Sequence, residues 1–338
     1  MVTYLLICMG AGTLSALVIA LLILNAQKLG LVQSPVARSS HVIPTPTGGG
    51  AGIVLGSVVA ILALGYGNPT ILTVVALSLV IAALGLIDDR WPLPAKIRFP
   101  VQFLVMAIAV SATGAVTAIT GLEEMTAVFL LVGFILVIGG VWWLNLFNFM
   151  DGIDGLAGQQ AVAMLGSAML LSGSAQPGAV GDPLWWTIAI TATATVAFLS
   201  FNWPPAKIFM GDIGSTFLGF MIFAIAAMTI HAGWMTLPQW AILAVLFAAD
   251  ATVTLVTRLL RGERVTEAHR SHAYQRLFRR WGGAKRVAVT ALATNLLILL
   301  PIALAFKQDD VPAYGVVAGL YILFTGIFVY VGAGRANG

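Results

Sequence analysis

The sequence has very few cysteines and very few charged residues for a protein of its length. It contains a single cysteine, Cys8, inside the first apolar run, so no disulfide can form within the chain. Charged side chains make up only 9% of the 338 residues, whereas 59% are hydrophobic. That leaves too little polar surface for a soluble globule, and no long polar or low-complexity stretch adds a soluble domain. The composition therefore predicts an all-α, polytopic integral membrane protein with a single membrane domain over residues 1–338.

Eleven apolar runs are long enough to cross a bilayer as helices. They cover residues 3–24, 50–67, 70–87, 99–120, 126–144, 157–173, 185–201, 213–231, 237–257, 287–306 and 313–332. The run 157–173 is the weakest of them, and without it the protein would have ten spans. No basic segment precedes the first run, so we expect a retained helix with its amino end outside rather than a cleaved signal.

The distribution of basic residues predicts the orientation of these spans. Alternation from an outside amino end places one set of connections on the inner side, namely residues 25–49, 88–98, 145–156, 202–212, 258–286 and 333–338. Every Lys and Arg except Lys307 falls in these segments, as the positive-inside rule requires. The net charge of +4 therefore reflects loops that face anionic headgroups, and we expect a lipid bilayer and no nucleic acid as a partner.

The inner connections also hold most of the acidic residues, which makes this face the candidate site. Asp88 and Asp89 are adjacent, and Lys96 and Arg98 follow about two turns later. Two neighbouring carboxylates repel each other, so a divalent cation, a phosphate with its metal or a basic group has to stand near them. The alternative is a solvated helix end in which a carboxylate pairs with Arg90.

A second acidic group lies in the central inner connection, in the stretch NLFNFMDGIDGLAG. Asn148, Asp151 and Asp154 recur every three residues, which would place them on one face of a helix. Gly152 and Gly155 indicate that the helix is interrupted there. Carboxylate and amide oxygens suit Mg²⁺, which is usually shared with substrate phosphates. An aspartate-rich helix start is the alternative.

Three other inner segments carry groups suited to phosphate. In FMGDIGS, Asp212 stands where a helix begins, so it serves either a phosphate site or helix capping. In the last segment, His269, Arg270 and His272 form a compact donor set able to bind phosphate or protonate a leaving group. A solvated basic face is the alternative for most arginines around them. In the first segment, HVIPTPTGGG, the glycines let backbone approach a ligand or a neighbouring helix.

Taken in order, five motifs resemble the polyprenyl-phosphate N-acetylhexosamine-1-phosphate transferases, a family that includes the phospho-MurNAc-pentapeptide translocase. They are HVIPTPTGGG, LGLIDDR with Lys96, NFMDGIDGLAG, FMGDIGS and AHRSHAYQRL, and they extend over nearly the whole chain. The last motif is similar to that of the branch that initiates O-antigen and related surface polysaccharides, whereas the translocase has a run of histidines there. That branch usually has Asp and Arg where this chain has Gln33 and Thr47.

The resemblance implies transfer of a sugar 1-phosphate from a UDP-N-acetyl-amino sugar to undecaprenyl phosphate, with release of UMP. It places the enzyme in the bacterial inner membrane, with the active site facing the cytoplasm and Mg²⁺, or Mn²⁺, as cofactor. A second copy of the chain is a further possible partner, in a homodimer. Translocase activity is the first alternative. A membrane transporter is a remote one, because only Asp250 lies deep in a predicted span.

The same resemblance implies a role for each candidate residue. The catalytic residues would be Asp88, Asp89, Asp212 and His272, and the metal ligands Asp212 and Asp151. The substrates would contact Lys96, at the acceptor phosphate, and Asn148, Asp154, Phe209, His269, Arg270 and Thr45.

The charge distribution predicts where the carboxyl end of the chain lies. A reporter fused after Arg335 should be cytoplasmic, and the same reporter inserted at Asp309 should be outside, because one predicted span separates the two positions. Reporter activity on intact cells checks both positions. If the two fusions reported the same side, the last predicted hairpin would be wrong.

Overall fold

The computed structural model of the chain describes residues 1–33, 44–64, 67–123, 125–264, 269–306 and 311–335, and these residues are almost entirely α-helical. The helices are α1 (Val2–Asn25), α2 (Gly50–Ala63), α3 (Pro69–Arg90), α4 (Ala95–Ala112), α5 (Ala115–Thr120), α6 (Ala127–Phe149), α7 (Leu156–Ala175), α8 (Pro183–Asn202), α9 (Asp212–His231), α10 (Leu237–Leu260), α11 (Ala273–Trp281), α12 (Ala284–Thr294), α13 (Leu300–Ala305) and α14 (Val311–Val331). The short elements are a 3₁₀ turn (Pro177–Gly181), a π-helical segment between α12 and α13 (Asn295–Leu299), and an antiparallel pair, β1 (Val32–Gln33) and β2 (Thr45–Pro46).

Nine of the described helical segments are long and apolar enough to cross a membrane, if Ala284–Ala305 is counted as one. The helix α2 is apolar but shorter, and α7 has 20 residues without being one of the nine. The prediction of an all-α polytopic membrane protein is therefore confirmed. Each predicted run corresponds to a helical segment, and the weakest run, 157–173, corresponds to α7.

Two helices extend further, toward the side predicted to be the inner one, than the apolar runs predict. The helix α3 continues through Asp88 and Asp89, and α6 continues through Asn148. Neither stretch contains a helix-breaking residue before Pro92 and Gly152, so the helical hydrogen bonding continues. The corresponding connections are shorter than expected, and these side chains project from the last turns of helices.

Other differences concern the fourth run and the last inner connection. The run 99–120 forms two helices, because the chain turns at Gly114 with φ of +68°. A Cβ at this position would lie 2.6 Å from Nδ1 of His231, so both the conformation and the space require glycine. The connection 258–286 contains the amphipathic helix α11, where the sequence predicts a solvated basic face for most of the arginines and no helix.

The helix α9 is the centre of the bundle and packs against α2, α3 and α6. Glycines allow its backbone to approach two neighbours closely. A Cβ on Gly50 would lie 2.2 Å from Cα of Gly214, and a Cβ on Gly85 would lie 2.5 Å from the carbonyl oxygen of Asp212. Small residues bring membrane helices together in this way. The first turn of α9 is thereby held beside the last turns of α3 and α6.

The first inner segment closes onto the connection before α9 through main-chain hydrogen bonds. The amides of Gly49 and Gly50 donate to the carbonyl oxygens of Phe209 and Met210, at 2.9 Å each. The buried Thr45 lies in β2. The glycine run therefore serves close packing against a neighbouring segment, which is one of the two uses that the sequence predicts.

Both positions at which the chain departs from the branch pattern lie in this part. Gln33 pairs with Thr45, and the amide of Thr47 donates to the carbonyl oxygen of Leu31 at 2.8 Å. The rest of the motif, from position 41 to 43, lies outside the described residues.

Candidate active site

Two adjoining cavities lie at the ends of the helices that are predicted to face inward. The larger, of about 860 Å³, is lined on its polar side by Arg98, Asn145, Asn148, Asp151, His269 and His272. Its apolar side is formed by residues of α4 and α6, including Phe99, Phe103, Ile138 and Trp142. The smaller is a crevice lined by Asp88, Asp212, Gln102 and Thr216 among others. Arg98, Asn145 and Asn148 line both cavities and so join them into one candidate site.

The Asp88 carboxylate faces the crevice from the last turn of α3. Its Oδ2 lies 2.5 Å from Nη1 of Arg98, and its Oδ1 accepts a hydrogen bond of 2.6 Å from the amide of Leu93. Asp88 therefore pairs with a residue of α4, and not with Arg90 as the alternative interpretation had it. A charge-assisted pair of this kind holds both side chains in place.

Lys96, the predicted contact of the acceptor phosphate, is exposed and lines neither cavity. Arg98 occupies the corresponding place beside Asp88. The two basic residues stand two positions apart, so they project from α4 in different directions. The sequence contains both, but spacing alone does not tell which one faces the carboxylates.

Asp89, and not Asp212, caps the amino end of α9. The two oxygens of Asp89 accept the amides of Asp212 and Ile213, at 2.8 and 3.1 Å, so Asp89 caps α9 from another helix. Because Asp89 accepts these amides, the Asp212 carboxylate does not cap α9. Asn148 and Asp88 line the same crevice as Asp212, and the Asn148 amide donates to Oγ of Ser215 at 2.9 Å. The capping interpretation therefore applies to Asp89 rather than to Asp212.

The central connection carries Asp151 and Asp154 to different places. Asp154 accepts the amide of Ala206 at 3.0 Å and holds the two inner connections together. Asp151 lines the larger cavity, where removal from water, and then the carboxylates of Asp212 and Asp89, raise the pKa of Asp151 well above its usual range. Several carboxylates gathered in this way indicate a site that binds positive charge.

The final inner segment brings two histidines to the same cavity. The rings of His269 and His272 lie 4.9 Å apart, and the His269 Nδ1 is 3.0 Å from Oγ of Ser271. Arg270, between them, is exposed, and its carbonyl oxygen accepts hydrogen bonds from Arg279.

The structure thus brings together only part of the predicted set. The residues that line the two cavities are Asp88, Asp212, Asn148, Asp151, His269 and His272. Those that do not line them are Asp89, Lys96, Asp154, Phe209, Arg270 and Thr45. Asn145 and Tyr274 also line the larger cavity. Asn145 has no predicted role beyond its position in the central motif, whereas the final motif predicts Tyr274 beside the sugar of the donor.

Among the described residues, no three His, Cys, Asp or Glu side chains lie close enough together to enclose a metal ion by themselves. Mg²⁺ usually binds one or two carboxylates and completes its shell with water and substrate phosphates. Asp212, which shares the crevice with Asn148 and Asp88, fits such a shared ion and does not fit a closed structural site. The predicted second ligand, Asp151, lines the neighbouring cavity.

A bundle of membrane helices with carboxylates, an arginine and two histidines around a half-apolar cavity is the arrangement expected of a membrane enzyme that handles anionic groups. Comparison with known proteins agrees with this class. The sequence profile of glycosyl transferase family 4 matches residues 71–230.

Relatives align over longer stretches. A Bacillus subtilis (strain 168) protein named as a probable undecaprenyl-phosphate N-acetylglucosaminyl 1-phosphate transferase is 32% identical over 278 residues, covering 79% of this chain and 75% of that protein. A decaprenyl-phosphate N-acetylglucosaminephosphotransferase of Mycobacterium tuberculosis (strain CDC 1551 / Oshkosh) is 31% identical over 306 residues, covering 78% and 73%. A phospho-N-acetylmuramoyl-pentapeptide-transferase of Wolbachia sp. subsp. Brugia malayi (strain TRS) is 34% identical over 197 residues, covering 52% and 57%. The chain belongs to the polyprenyl-phosphate N-acetylhexosamine-1-phosphate transferase family.

The different surroundings of Asp89 and Asp212 predict different effects of mutation. Asp212→Asn should abolish sugar-phosphate transfer and leave the thermal unfolding temperature in detergent nearly unchanged, because the side chain caps no helix. Asp89→Ala should lower that temperature, since loss of an N-terminal cap costs about 1 kcal/mol. If Asp212→Asn turned over within a few-fold of the parent protein, the assignment of Asp212 as the metal ligand would be contradicted.

The contact between the central and final inner segments predicts a suppressor. A Cβ on Gly152 would lie 2.0 Å from Oη of Tyr274, so Gly152→Ala should lower thermal stability and transfer activity. Adding Tyr274→Phe removes that oxygen and should recover part of both. Gly166→Ala, which has nothing within 4 Å of the new Cβ, is the matched control. A double variant as impaired as Gly152→Ala alone would exclude this steric explanation.

Proposed function

We propose that the protein transfers an N-acetyl-amino-sugar 1-phosphate from a UDP-sugar to undecaprenyl phosphate, giving undecaprenyl-diphosphate-sugar and UMP. The reaction would take place at the cytoplasmic face of the bacterial inner membrane, as the first membrane step of O-antigen, lipopolysaccharide or related cell-envelope glycan synthesis. The observation that carries the proposal is the cavity itself, which joins a charged end to an apolar side within the membrane helices.

The apolar side of the cavity suits the lipid chain of the acceptor. Ile138 lies about 15 Å along α6 from Asn148, at 1.5 Å per residue, so the cavity follows the helix into the membrane. Phe99, Phe103 and Trp142 line it and are also exposed on the surface of the bundle. A polyprenyl chain can therefore lie against this side from the bilayer while its phosphate reaches the charged end.

The charged end suits two phosphorylated substrates that repel each other. Arg98 lines both the crevice and the larger cavity, where it can donate to the acceptor phosphate, and His269 and His272 line the larger cavity, where they can donate to the diphosphate. Donors fixed before the reaction stabilise charge that develops in the transition state. Mg²⁺ bound at Asp212 would supply further neutralisation of the phosphate charge.

The proposed reaction forms one phosphorus–oxygen bond and breaks another. An oxygen of the lipid phosphate attacks the phosphorus that carries the sugar, and the bond from that phosphorus to the bridging oxygen breaks, so that UMP leaves. A phosphate monoester has a second pKa of about 6 and is largely dianionic at pH 7, so its attacking oxygen needs little help from a base. We therefore assign Asp88 to holding Arg98 in place at the acceptor phosphate.

The donor we propose is a plain UDP-N-acetyl sugar, without a peptide. The final segment has HRSHAYQ where the translocase has a run of histidines, and the names of the Bacillus and Mycobacterium relatives refer to N-acetylglucosaminyl or N-acetylglucosamine transfer. Tyr274 belongs to this segment, but its hydroxyl donates to the carbonyl oxygen of Phe149 at 2.9 Å, which leaves sugar recognition to other groups. The second candidate donor is the UDP-MurNAc-pentapeptide, because the Wolbachia relative is named as a phospho-N-acetylmuramoyl-pentapeptide-transferase.

A donor panel distinguishes these functions. Purified protein with undecaprenyl phosphate and Mg²⁺ should release UMP from at least one UDP-N-acetyl sugar and not from UDP-MurNAc-pentapeptide. Omission of the lipid, addition of a metal chelator and the Asp212→Asn variant serve as controls, and each should stop release. Comparable UMP release from the pentapeptide donor would restore the translocase assignment, and release from no donor would contradict the proposed function.

A further inference from the structure

Asp250 is a buried carboxylate of α10 that the proposed reaction does not use. It is only 1% exposed and lines neither cavity. Its Oδ1 accepts the amide of Ala273 at 2.8 Å, and its Oδ2 accepts the amide of Tyr274 at 2.9 Å. Thr254, one turn further along α10, donates its hydroxyl to the same Oδ1 at 3.2 Å.

These contacts make Asp250 the cap of a helix to which it does not belong. Ala273 and Tyr274 are the first two residues of α11, and their amides have no acceptor within that helix. A buried carboxylate is costly unless it is hydrogen-bonded, and two main-chain donors at a helix amino end satisfy it well. The interaction therefore holds the amino end of α11 against the membrane-embedded α10.

The position of α11 decides where the histidines lie. His272 directly precedes α11, and its Nδ1 lies 3.5 Å from Oδ1 of Asp250. Its ring is stacked on Tyr274, with centroids 5.5 Å apart and planes at 23°, and stands 4.9 Å from the ring of His269. His269, His272 and Tyr274 line the larger cavity, whereas the Asp250 carboxylate is next to His272 and does not line it.

We propose that Asp250 is a positioning residue: it holds the amino end of α11 so that His269 and His272 stay at the cavity. The functional part of this inference rests on the proposed function, whereas the structural part does not. Asp250 lines neither of the two cavities of the candidate site, so it acts on that site through the segment that it caps. A role limited to general stability would affect the fraction of folded protein and not the substrate affinity of the molecules that fold.

Asp250→Asn is the most informative substitution, because it keeps size and shape. One of the two acceptor oxygens becomes an NH₂ group that faces an amide N–H, so one cap hydrogen bond is lost. Hydrogen–deuterium exchange of the full-length protein in detergent should show the amides of 273–281 exchanging about tenfold faster than in the parent protein. Unchanged exchange there would overturn the proposal without reference to activity.

The matched control is Gln239→Ala, at the other end of the same helix. Gln239 is buried, caps α10 and donates to the carbonyl oxygens of Ala303 and Phe306. Its loss should lower the thermal unfolding temperature and leave exchange of 273–281 at the parent rate. Faster exchange there in this variant too would show that the effect is a general one and overturn the proposal.

Steady-state kinetics test the functional part. For Asp250→Asn, kcat/KM for the UDP-sugar should fall at least about tenfold, as expected when catalytic groups are misplaced, while KM for undecaprenyl phosphate stays within about twofold. Unchanged KM values with a reduced active fraction would identify a purely structural role and overturn the proposal. If the parent protein released UMP from no donor, the proposed function would fail, and the exchange result alone would decide whether Asp250 holds α11.

Discussion

The candidate site depends on the close approach of the end of α3 to the beginning of α9. Gly85 permits it, because a Cβ at that position would lie 2.5 Å from the carbonyl oxygen of Asp212. At this separation Asp89 reaches the first amides of α9 and caps them, which releases the Asp212 carboxylate toward the crevice. One residue earlier, Asp88 projects toward Arg98. Two adjacent carboxylates therefore have different tasks because they meet different partners, although their local sequence is almost the same.

Acidic residues at the candidate site and within the neighbouring helices also hold the structure together. A carboxylate near a membrane interior needs donors, and main-chain amides at segment ends need acceptors. Asp89 meets both needs at α9, Asp154 at Ala206 and Asp250 at the amino end of α11. Each of these contacts joins segments that are far apart in the sequence. The polar groups that build the site and those that fix the arrangement of the helices are thus neighbours, and several of them differ only in whether they face a cavity.

Hydropathy and charge were sufficient to predict the all-α membrane class and the order of its helices, because long apolar runs have few alternatives in a bilayer. Motif spacing predicts that Asp88, Asp212, Asn148 and Asp151 belong to one site. In the structure these four residues line the two adjoining cavities, and their roles stay predictions. Motif spacing could not choose between Lys96 and Arg98, nor predict that Asp89 rather than Asp212 is the cap, because spacing along a helix does not specify contacts across helices. The role of α11 was missed for the same reason: the partner of its first amides, Asp250, precedes it by more than twenty residues in another helix.

The choice of arginine at position 98 follows from the surroundings of the cavity. In the proposed reaction the site has to hold a phosphate at the boundary between apolar side chains and the carboxylates of the crevice. A lysine ammonium beside apolar surface loses its charge readily, whereas a guanidinium stays charged and is less strongly hydrated. Arginine also has five N–H donors, so that Arg98 can donate to Asp88 and keep further donors for a phosphate. The ion pair with Asp88 therefore fixes the direction of the Arg98 guanidinium and leaves other N–H donors to bind an anion. A lysine ammonium is a point charge and would combine these two tasks less well.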